Sequence, residues 1–334
     1  MLPRALIPPD RPKITVRPEQ FPLEAAPDGS RGHVEVVLVE IHEGSKRGRG
    51  ECVPDPGLGE SAEAIVAAVE AVADNISTGV ITRRSLQRTM AAGAARNAID
   101  LALWDFDAKR TGSSAWQIAG LDVPRRLTTA FTICHGSAEA MAAAAAEQAH
   151  RPLLKLDLET IYEFDRLLAV KMAAPRARLI IDAHEGWTLD SLVKAMPTLA
   201  EAGVELIEDP LPPGADMKLR GIKRLVPICA NRTCNDRSSL AELVGLYDAI
   251  NIELDRTGGL TEALALAEQA RDEGFRVKVG CRVGTSLAVA PAVILAQDAD
   301  WIDLDAPLRL ARDRQPGLRY DGSQLYPPSV SLWG

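Results

Sequence analysis

The sequence has few cysteines and no long apolar run, and each absence argues against a class of protein. Its 334 residues include five cysteines, which are widely spaced and contain no C-x-x-C pair. This disfavours a disulfide framework and a cysteine-ligated zinc site. No run of about 18 apolar residues occurs, and residues 1–9 lack the apolar core of a signal peptide. We therefore expect a cytoplasmic protein.

The sequence also has fewer positively charged residues than negatively charged ones. Lys and Arg number 38 against 46 Asp and Glu, a net charge of -8, so neither nucleic acid nor a membrane surface is an expected partner. The glycines form no phosphate loop, because Gly57 and Gly59 follow no strand and do not complete the G-x-G-x-x-G spacing. The length and the 46% hydrophobic content suit one barrel with a smaller appended domain.

The N-terminal part of the chain has strand-like runs followed by helical ones, which predicts an α+β domain. The strand-like runs lie at 13–16 and 34–41, and alanine-rich helical stretches lie at about 62–74 and 94–109. The segment 17–32 between the two strands is rich in Pro, Gly and charge, and we predict a mobile loop there.

From residue 127 the chain alternates between apolar runs and helical stretches. The predicted strands lie at 127–133, 153–157, 178–182, 204–208, 226–230, 248–253, 276–280 and 299–303. Eight parallel strands with helical crossovers close into a barrel whose active site lies at the carboxyl ends of the strands. We therefore predict an α/β fold: a modified (β/α)8 TIM-type barrel at 121–310, with an α+β capping domain formed by 1–120 and completed by 311–334.

Two of these predicted strands stop at a carboxylate, Asp182 and Glu208. A parallel strand is buried on both faces, so the first charged residue marks its carboxyl end. Either residue alone is more simply a strand end that meets solvent. Oxygen ligands from neighbouring strand ends are what a hard divalent cation needs, so the pair favours a metal site.

Five motifs together resemble a known family. They are GAARNAIDLALWD at 93–105, DAHEGW at 182–187, EDPLP at 208–212, NIELDRTGGL at 251–260 and DLD at 303–305. Over nearly its whole length the chain resembles the enolase superfamily (mandelate racemase/muconate lactonizing enzyme-like), most of all its dipeptide epimerase (L-Ala-D/L-Glu epimerase-like) branch. The resemblance implies a Mg²⁺ ion held by three carboxylates, and two lysines on opposite sides of the substrate that remove and return its α-proton.

At the catalytic positions the chain departs from the family pattern. The family's Lys-x-Lys is KLD at 155–157 here, and its Asn-Ile-Lys is NIE at 251–253, so both catalytic lysines are replaced. By resemblance, the catalytic positions are Lys155, Asp157 and Glu253. Loss of a general base typically slows a reaction roughly 10²–10⁴-fold, so we expect two-base epimerisation to be very slow.

The resemblance also assigns the metal ligands, which are Asp182, Glu208 and Asn231. Asn231 stands where the family has an aspartate, and Arg232 follows it. Because an amide oxygen carries no full charge, we expect Mg²⁺ to bind weakly or not at all. Lys155 and Arg232 are then expected to supply the positive charge.

The predicted substrate contacts are Asp303 and Asp305, which match the family's Asp-x-Asp that pairs with a substrate ammonium group. The expected partner is therefore a dipeptide or another amino-acid derivative, and a homo-oligomer is left open. His184 is a candidate alternative base, although a strand-end histidine held by a hydrogen bond is the favoured interpretation. Arg31 is a candidate contact for a substrate carboxylate. Three hypotheses stay open: an epimerase with rearranged groups, a different metal-assisted reaction using Asp157 and Glu253, and an inactive ligand-binding homologue.

Overall fold

The structure is a computed structural model that describes residues 11–25, 32–160 and 163–334. The N-terminal part contains an antiparallel sheet in the order β1-β2-β3, formed by β1 (Lys13–Pro22), β2 (His33–Glu43) and β3 (Lys46–Cys52). The helices that follow are α1 (Ala62–Ser77), α2 (Arg83–Thr89), α3 (Ala94–Thr111) and α4 (Ala115–Ile118). The strand-then-helix order confirms the predicted α+β architecture of the cap.

The close packing of β3 on α3 depends on two glycines. A Cβ atom on Gly48 would lie 2.4 Å from Ala102 O, and one on Gly50 would lie 2.1 Å from Ala98 O. Both distances are shorter than any side chain tolerates, so only glycine lets the strand backbone approach the helix backbone this closely.

The loop predicted at 17–32 begins too early, because β1 continues to Pro22 and pairs with β2 along its whole length. Pro18 and Pro22 had suggested a loop, but β1 is an edge strand, where a residue without an N–H is tolerated. Residues 26–31, which include Arg31, lie outside the described residues.

The segment 127–133, predicted as one strand, forms two short ones that belong to different sheets. They are β4 (Leu127–Thr128) and β5 (Phe131–Ile133). β4 pairs with β14 (Gln324–Leu325), which in turn pairs with β13 (Tyr320–Asp321). Only β5 joins the barrel.

The other barrel strands are β6 (Leu153–Asp157), β7 (Arg178–Asp182), β8 (Val204–Glu208), β9 (Ile228–Ala230), β10 (Ala249–Ile252), β11 (Arg276–Gly280) and β12 (Trp301–Asp303). With β5 they form an eight-stranded sheet in sequence order, and Ala130 N–H closes it by donating to Ile302 O at 2.7 Å. The intervening helices are α5 (Ala138–Glu147), α6 (Phe164–Ala173), α7 (Leu189–Glu201), α8 (Leu240–Leu243), α9 (Leu254–Thr257), α10 (Leu260–Asp272) and α11 (Ser286–Leu295). This confirms the predicted modified (β/α)8 barrel with an α+β cap. Among the described residues, no helix is long and apolar enough to cross a membrane.

The C-terminal tail returns to the cap helix α3. Trp333 Nε1–H donates to Leu101 O at 3.1 Å, and Gly334 N–H donates to Asp105 Oδ1 at 2.7 Å. These contacts support the proposal that 311–334 completes the capping domain, whose boundaries stay a prediction.

Asp100 on α3 joins the cap to the barrel. It is fully buried, and its carboxylate accepts hydrogen bonds from the hydroxyl of Thr261 at 2.6 Å and from the N–H of the same residue at 2.9 Å. Burial raises the pKa of Asp100 to about 6 even though these bonds act in the other direction. The folded protein therefore binds the proton more tightly than the unfolded chain, whose Asp pKa is about 3.9.

Asp100 should make the protein less stable as the pH rises. Its contribution is most favourable below pH 4, and it falls as the pH rises to about 6. Asp100→Asn cannot titrate, so its stability relative to the unaltered chain should rise by roughly 2 kcal/mol between pH 4 and pH 7. Thermal unfolding of both proteins across this range measures the change, with the exposed Asp122→Asn as the control. A difference that does not vary with pH would contradict the expectation.

Candidate functional site

The barrel interior changes from apolar to charged toward the carboxyl ends of its strands. A buried apolar layer is formed by Ala130, Leu153, Ile180, Leu206, Cys229, Ala249 and Trp301. Side chains two residues apart on a strand point to the same side, so the next layer in the interior includes Lys155, Asp182, Glu208, Asn251 and Asp303. This second layer lies at the catalytic end of a (β/α)8 barrel.

Five side chains there form a buried group of ions that we name the charge cluster: Lys155, Asp182, Glu208, Lys278 and Asp303. Lys155 Nζ lies 3.1 Å from Asp182 Oδ2 and 3.2 Å from Asp303 Oδ2, and it is 3.7 Å from Glu208 Oε2. Lys278 Nζ lies 2.7 Å from Glu208 Oε2 and 3.0 Å from Asp303 Oδ2. Each lysine is therefore held by at least two carboxylates.

The carboxylates keep both lysines protonated in spite of their burial. Burial alone would lower the pKa of Lys155, but Asp303 and Asp182 raise it well above its ordinary value. Burial is likewise outweighed at Lys278, where Glu208 raises the pKa. A lysine must lose its proton before it can act as a base, so neither lysine is a ready base near neutral pH.

Lys278 is a site residue that our sequence-based predictions omit. It lies at the centre of β11 between Val277 and Val279, and it is fully buried. Lysine is almost never fully buried without a partner, and a parallel strand in a barrel is covered on both faces. A lysine inside this apolar run was therefore the available signal for an ion pair in the interior.

Glu208, a predicted metal ligand, has both carboxylate oxygens engaged. Oε2 accepts a hydrogen bond from Lys278 Nζ at 2.7 Å, and Oε1 accepts one from Asn251 Nδ2 at 3.0 Å. Ammonium and amide N–H groups are donors without a lone pair for a cation. They therefore compete with a metal ion for the same oxygens.

The other two predicted metal ligands are Asp182 and Asn231. Asp182 Oδ2 pairs with Lys155 at 3.1 Å, and its Oδ1 accepts the N–H of His184 at 3.1 Å. Asn231 Oδ1 is buried and has no hydrogen-bond partner within the described part of the chain. With both carboxylates committed and only a neutral amide oxygen open, the three side chains as arranged do not fit a Mg²⁺ site. A different trio, Asp157, Asp182 and His184, has ligand atoms within 4.8 Å of one another, close enough to share an ion.

Asp157, which the sequence predicts to stand at a catalytic position, pairs with His184. Asp157 Oδ1 lies 3.2 Å from His184 Nε2, and the hydrogen bond that the imidazole donates to this carboxylate raises the pKa of His184. The turn after β7 holds this imidazole in place: His184 has a φ of 46°, and a Cβ on Gly186 would lie only 2.0 Å from Glu159 O. The His184 side chain is 37% exposed, so the pair is open to solvent.

Glu253, which the sequence predicts to stand at the other catalytic position, belongs to an ion network shared with the cap. Its Oε2 lies 3.7 Å from Arg282 Nε and 3.9 Å from Arg256. Both arginines also contact Asp55, which precedes α1 in the cap: Arg256 at 3.8 Å, and Arg282 through a hydrogen bond. Two carboxylates therefore share two guanidinium groups across the interface between the cap and the barrel.

Asp303 and Asp305, the predicted ammonium contacts, have different surroundings. β12 ends at Asp303, whose Oδ2 contacts both lysines of the charge cluster. Asp305 lies beyond the strand, and its Oδ2 accepts the N–H of Thr132 at 2.7 Å. Burial and the nearby Asp303 charge raise the pKa of Asp305 to about 6. Side chains two residues apart on a strand would face the same way, but Asp305 lies beyond the end of β12. The two carboxylates therefore have different partners.

Arg232 lies outside the charge cluster, and the prediction that it supplies positive charge there is wrong. Its side chain is 51% exposed, and its Nε lies 3.5 Å from Glu185 Oε2. The backbone N–H groups of Asn231 and Arg232 donate to the Asp209 carboxylate at 2.8 and 2.9 Å. Lys278 supplies the positive charge that we had expected from Arg232.

Comparisons with known proteins agree with this architecture. A family model described as "Enolase C-terminal domain-like" matches residues 137–317. A second, described as "Mandelate racemase / muconate lactonizing enzyme, N-terminal domain", matches residues 13–120. The chain belongs to the mandelate racemase/muconate lactonizing enzyme family of the enolase superfamily.

Within this family the chain is related to dipeptide epimerases. It is 41% identical over 300 residues to the L-Ala-D/L-Glu epimerase of Escherichia coli, covering 89% of this chain and 93% of the relative. A crystal structure of an enolase family member from Agrobacterium tumefaciens, with homology to dipeptide epimerases, contains sodium and L-Ala-L-Glu. That structure is 47% identical with a TM-score of 0.92, and the match covers 97% of this chain and 100% of that one.

A more distant dipeptide epimerase, from Methylococcus capsulatus, was solved with Mg and the dipeptide L-Arg-D-Lys. It is 28% identical to this member of the family, with a TM-score of 0.85, covering 95% of this chain and 97% of that one. The similar structures thus contain dipeptides with either sodium or magnesium.

Proposed function

We propose that this protein binds a dipeptide or a related amino-acid derivative at the barrel mouth and does not epimerise it by a two-lysine mechanism. The observation that carries the proposal is the charge cluster. The two interior lysines, Lys155 and Lys278, are each held by two or more carboxylates, while positions 157 and 253 are acidic. Two-base epimerisation needs one group that accepts a proton and a partner that donates one. A lysine held between carboxylates loses its proton only at a high free-energy cost, so it cannot readily alternate between its protonated and neutral forms.

The ligand class is supported by the related structures and by the charges at the mouth. Two similar proteins were solved with a dipeptide bound. In the present chain, Asp303 is committed to two lysines, and Asp305 uses Oδ2 for a single backbone N–H. We therefore assign Asp305 the main contact with a ligand ammonium group. Asp303 instead holds Lys155 and Lys278 of the charge cluster in place.

Asp305→Asn is expected to weaken binding of L-Ala-L-Glu by at least about 10-fold, because a hydrogen bond to a charged group is worth roughly 1.5–3 kcal/mol. Isothermal titration of EDTA-treated protein measures this affinity. Asp321→Asn, at an exposed position on β13, is the control and should bind like the unaltered chain. The N-acetylated dipeptide, which has no ammonium group, should bind both proteins equally weakly. Absence of dipeptide binding would refute the proposed function, and equal affinity of the Asp305 variant would refute the assigned contact.

The pairing of Asp157 with His184 favours a second candidate function, an enzyme that uses a single base. An imidazole held 3.2 Å from a carboxylate and open to solvent is suited to general acid–base catalysis. Glu253 lies at the other replaced position, with Arg282 3.7 Å away. Turnover of a bound dipeptide that disappears in His184→Asn, with affinity unchanged, would establish this candidate in place of a binding protein.

A further inference from the structure

We infer that the ammonium group of Lys278 takes the place of a divalent metal ion at the barrel mouth, so that the folded protein has no resident metal at Asp182, Glu208 and Asn231. This inference concerns the charge cluster alone and holds whichever ligand the mouth binds. Its first support is position: Lys278 extends from β11 into the interior layer and reaches two carboxylates at 2.7 and 3.0 Å.

The second support is competition for one oxygen atom. Lys278 Nζ donates to Glu208 Oε2 at 2.7 Å, and Mg²⁺ binds carboxylate oxygens at about 2.1 Å. An ion on this oxygen would therefore stand within roughly 5 Å of the ammonium group. Both groups are buried, where like charges repel strongly, so Glu208 cannot serve Lys278 and a divalent ion together.

The third support is the hydrogen bond that Asn251 donates to the second carboxylate oxygen of Glu208. Asn251 Nδ2 donates to Glu208 Oε1 at 3.0 Å, which turns the nitrogen and not the oxygen of the amide toward the carboxylate. Gly280 makes room for this side chain, because a Cβ there would lie 2.9 Å from both terminal atoms of Asn251. Both oxygens of Glu208 are thus held by nitrogen donors.

The fourth support is the charge balance of the predicted metal site. Asn231 is neutral, so the three predicted ligands carry two negative charges, on Asp182 and Glu208. The ammonium groups of Lys155 and Lys278 match these two charges, at 3.1 Å and 2.7 Å respectively. With Asp303, which contacts both lysines, the charge cluster has three carboxylates and two ammonium groups, a net charge of -1, and a divalent ion would reverse this to +1.

Magnesium titration tests the inference directly. Isothermal titration of the EDTA-treated, unaltered protein with MgCl₂ should give no saturable heat, and the melting temperature should be the same in EDTA and in millimolar Mg²⁺. Saturable 1:1 binding that Glu208→Gln abolishes and His184→Asn does not would overturn the inference, because only the second variant removes a ligand of the separate trio Asp157, Asp182 and His184.

Lys278→Met supplies the reverse test. The variant leaves the buried Glu208 without its ammonium partner, so its melting temperature in EDTA should fall by roughly 6–10 °C, and Mg²⁺ should now raise it.

The exposed Lys223→Met is the matched control and should show neither effect. The double variant Glu208→Gln/Lys278→Met removes both charges, so it should fold without a response to Mg²⁺. If Lys278→Met unfolds in every buffer, the titration of the unaltered chain and the double variant still decide. A Lys278→Met protein as stable as the control would contradict the inference.

Discussion

Glu208→Gln is expected to lower the free energy of unfolding by about 3–5 kcal/mol, the amount typical of removing one partner from a buried ion pair. Glu208 is fully buried, and its Oε2 lies 2.7 Å from Lys278 Nζ and 3.7 Å from Lys155 Nζ. Glutamine has nearly the same shape, so the change removes charge and leaves the packing intact. Among the described residues, the ammonium group of Lys278 then keeps Asp303 as its one close charged partner.

A control for Glu208 lies three residues earlier on the same strand. Glu205 pairs with Arg178 at 3.0 Å, but the two side chains are 33% and 51% exposed, and exposed pairs contribute at most about 1 kcal/mol. Chemical denaturation of Glu205→Gln and Glu208→Gln therefore compares a surface pair with a buried pair on one strand. Equal losses in the two variants would show that the charge cluster does not stabilise the fold.

The pair Glu208 and Lys278 can be isolated further by a double-mutant cycle. Glu208→Gln/Lys278→Met should lose less stability than the sum of its two single variants, because no unpaired charge is left behind. A strictly additive result would place the effect outside this ion pair.

The strand positions of the barrel were largely predictable from the sequence. β6, β7, β8 and β11 have the predicted bounds, because each is an apolar run flanked by polar residues. The split between β4 and β5 was not predictable, since the segment LTTAFTI at 127–133 contains no Gly, Pro, Asn or Asp to mark a break. Its first residues pair with β14, about 200 residues later in the chain, and local pattern holds no information about such a partner.

Part of the charge of the site was predictable from the sequence, but the ion pairs were not. Asp182 and Glu208 lie at strand ends as predicted, and the resemblance placed them together. Their partners depended on which long side chains reach the interior. Arg232 was expected there and points to Glu185 instead, while Lys278 was overlooked because β11 was treated as a purely apolar run.

The two acidic residues at the predicted catalytic positions also have partners that a single sequence does not reveal. Asp157 binds His184, and Glu253 shares Arg282 with Asp55 of the cap. Each acidic side chain therefore has a basic neighbour, from a different element of the fold, that compensates its charge. These pairings indicate that the surrounding structure compensates the negative charges of Asp157 and Glu253.

Exchange of the α-proton of L-Ala-L-Glu in D₂O tests the central claim, that this member of the family has lost two-base epimerisation. Asp157 and Glu253 are predicted to stand where the family has its catalytic lysines. Because each lost acid or base group is worth roughly 10²–10⁴-fold, the rate should be at least about 10⁴-fold below that of the E. coli L-Ala-D/L-Glu epimerase. Proton NMR of the glutamyl α-position, with both proteins at equal concentration in Mg²⁺, measures this directly. We predict that the signal persists in the presence of this protein and disappears with the E. coli enzyme. Exchange within about 10-fold of the E. coli rate, abolished by Asp157→Asn or Glu253→Gln, would contradict the account.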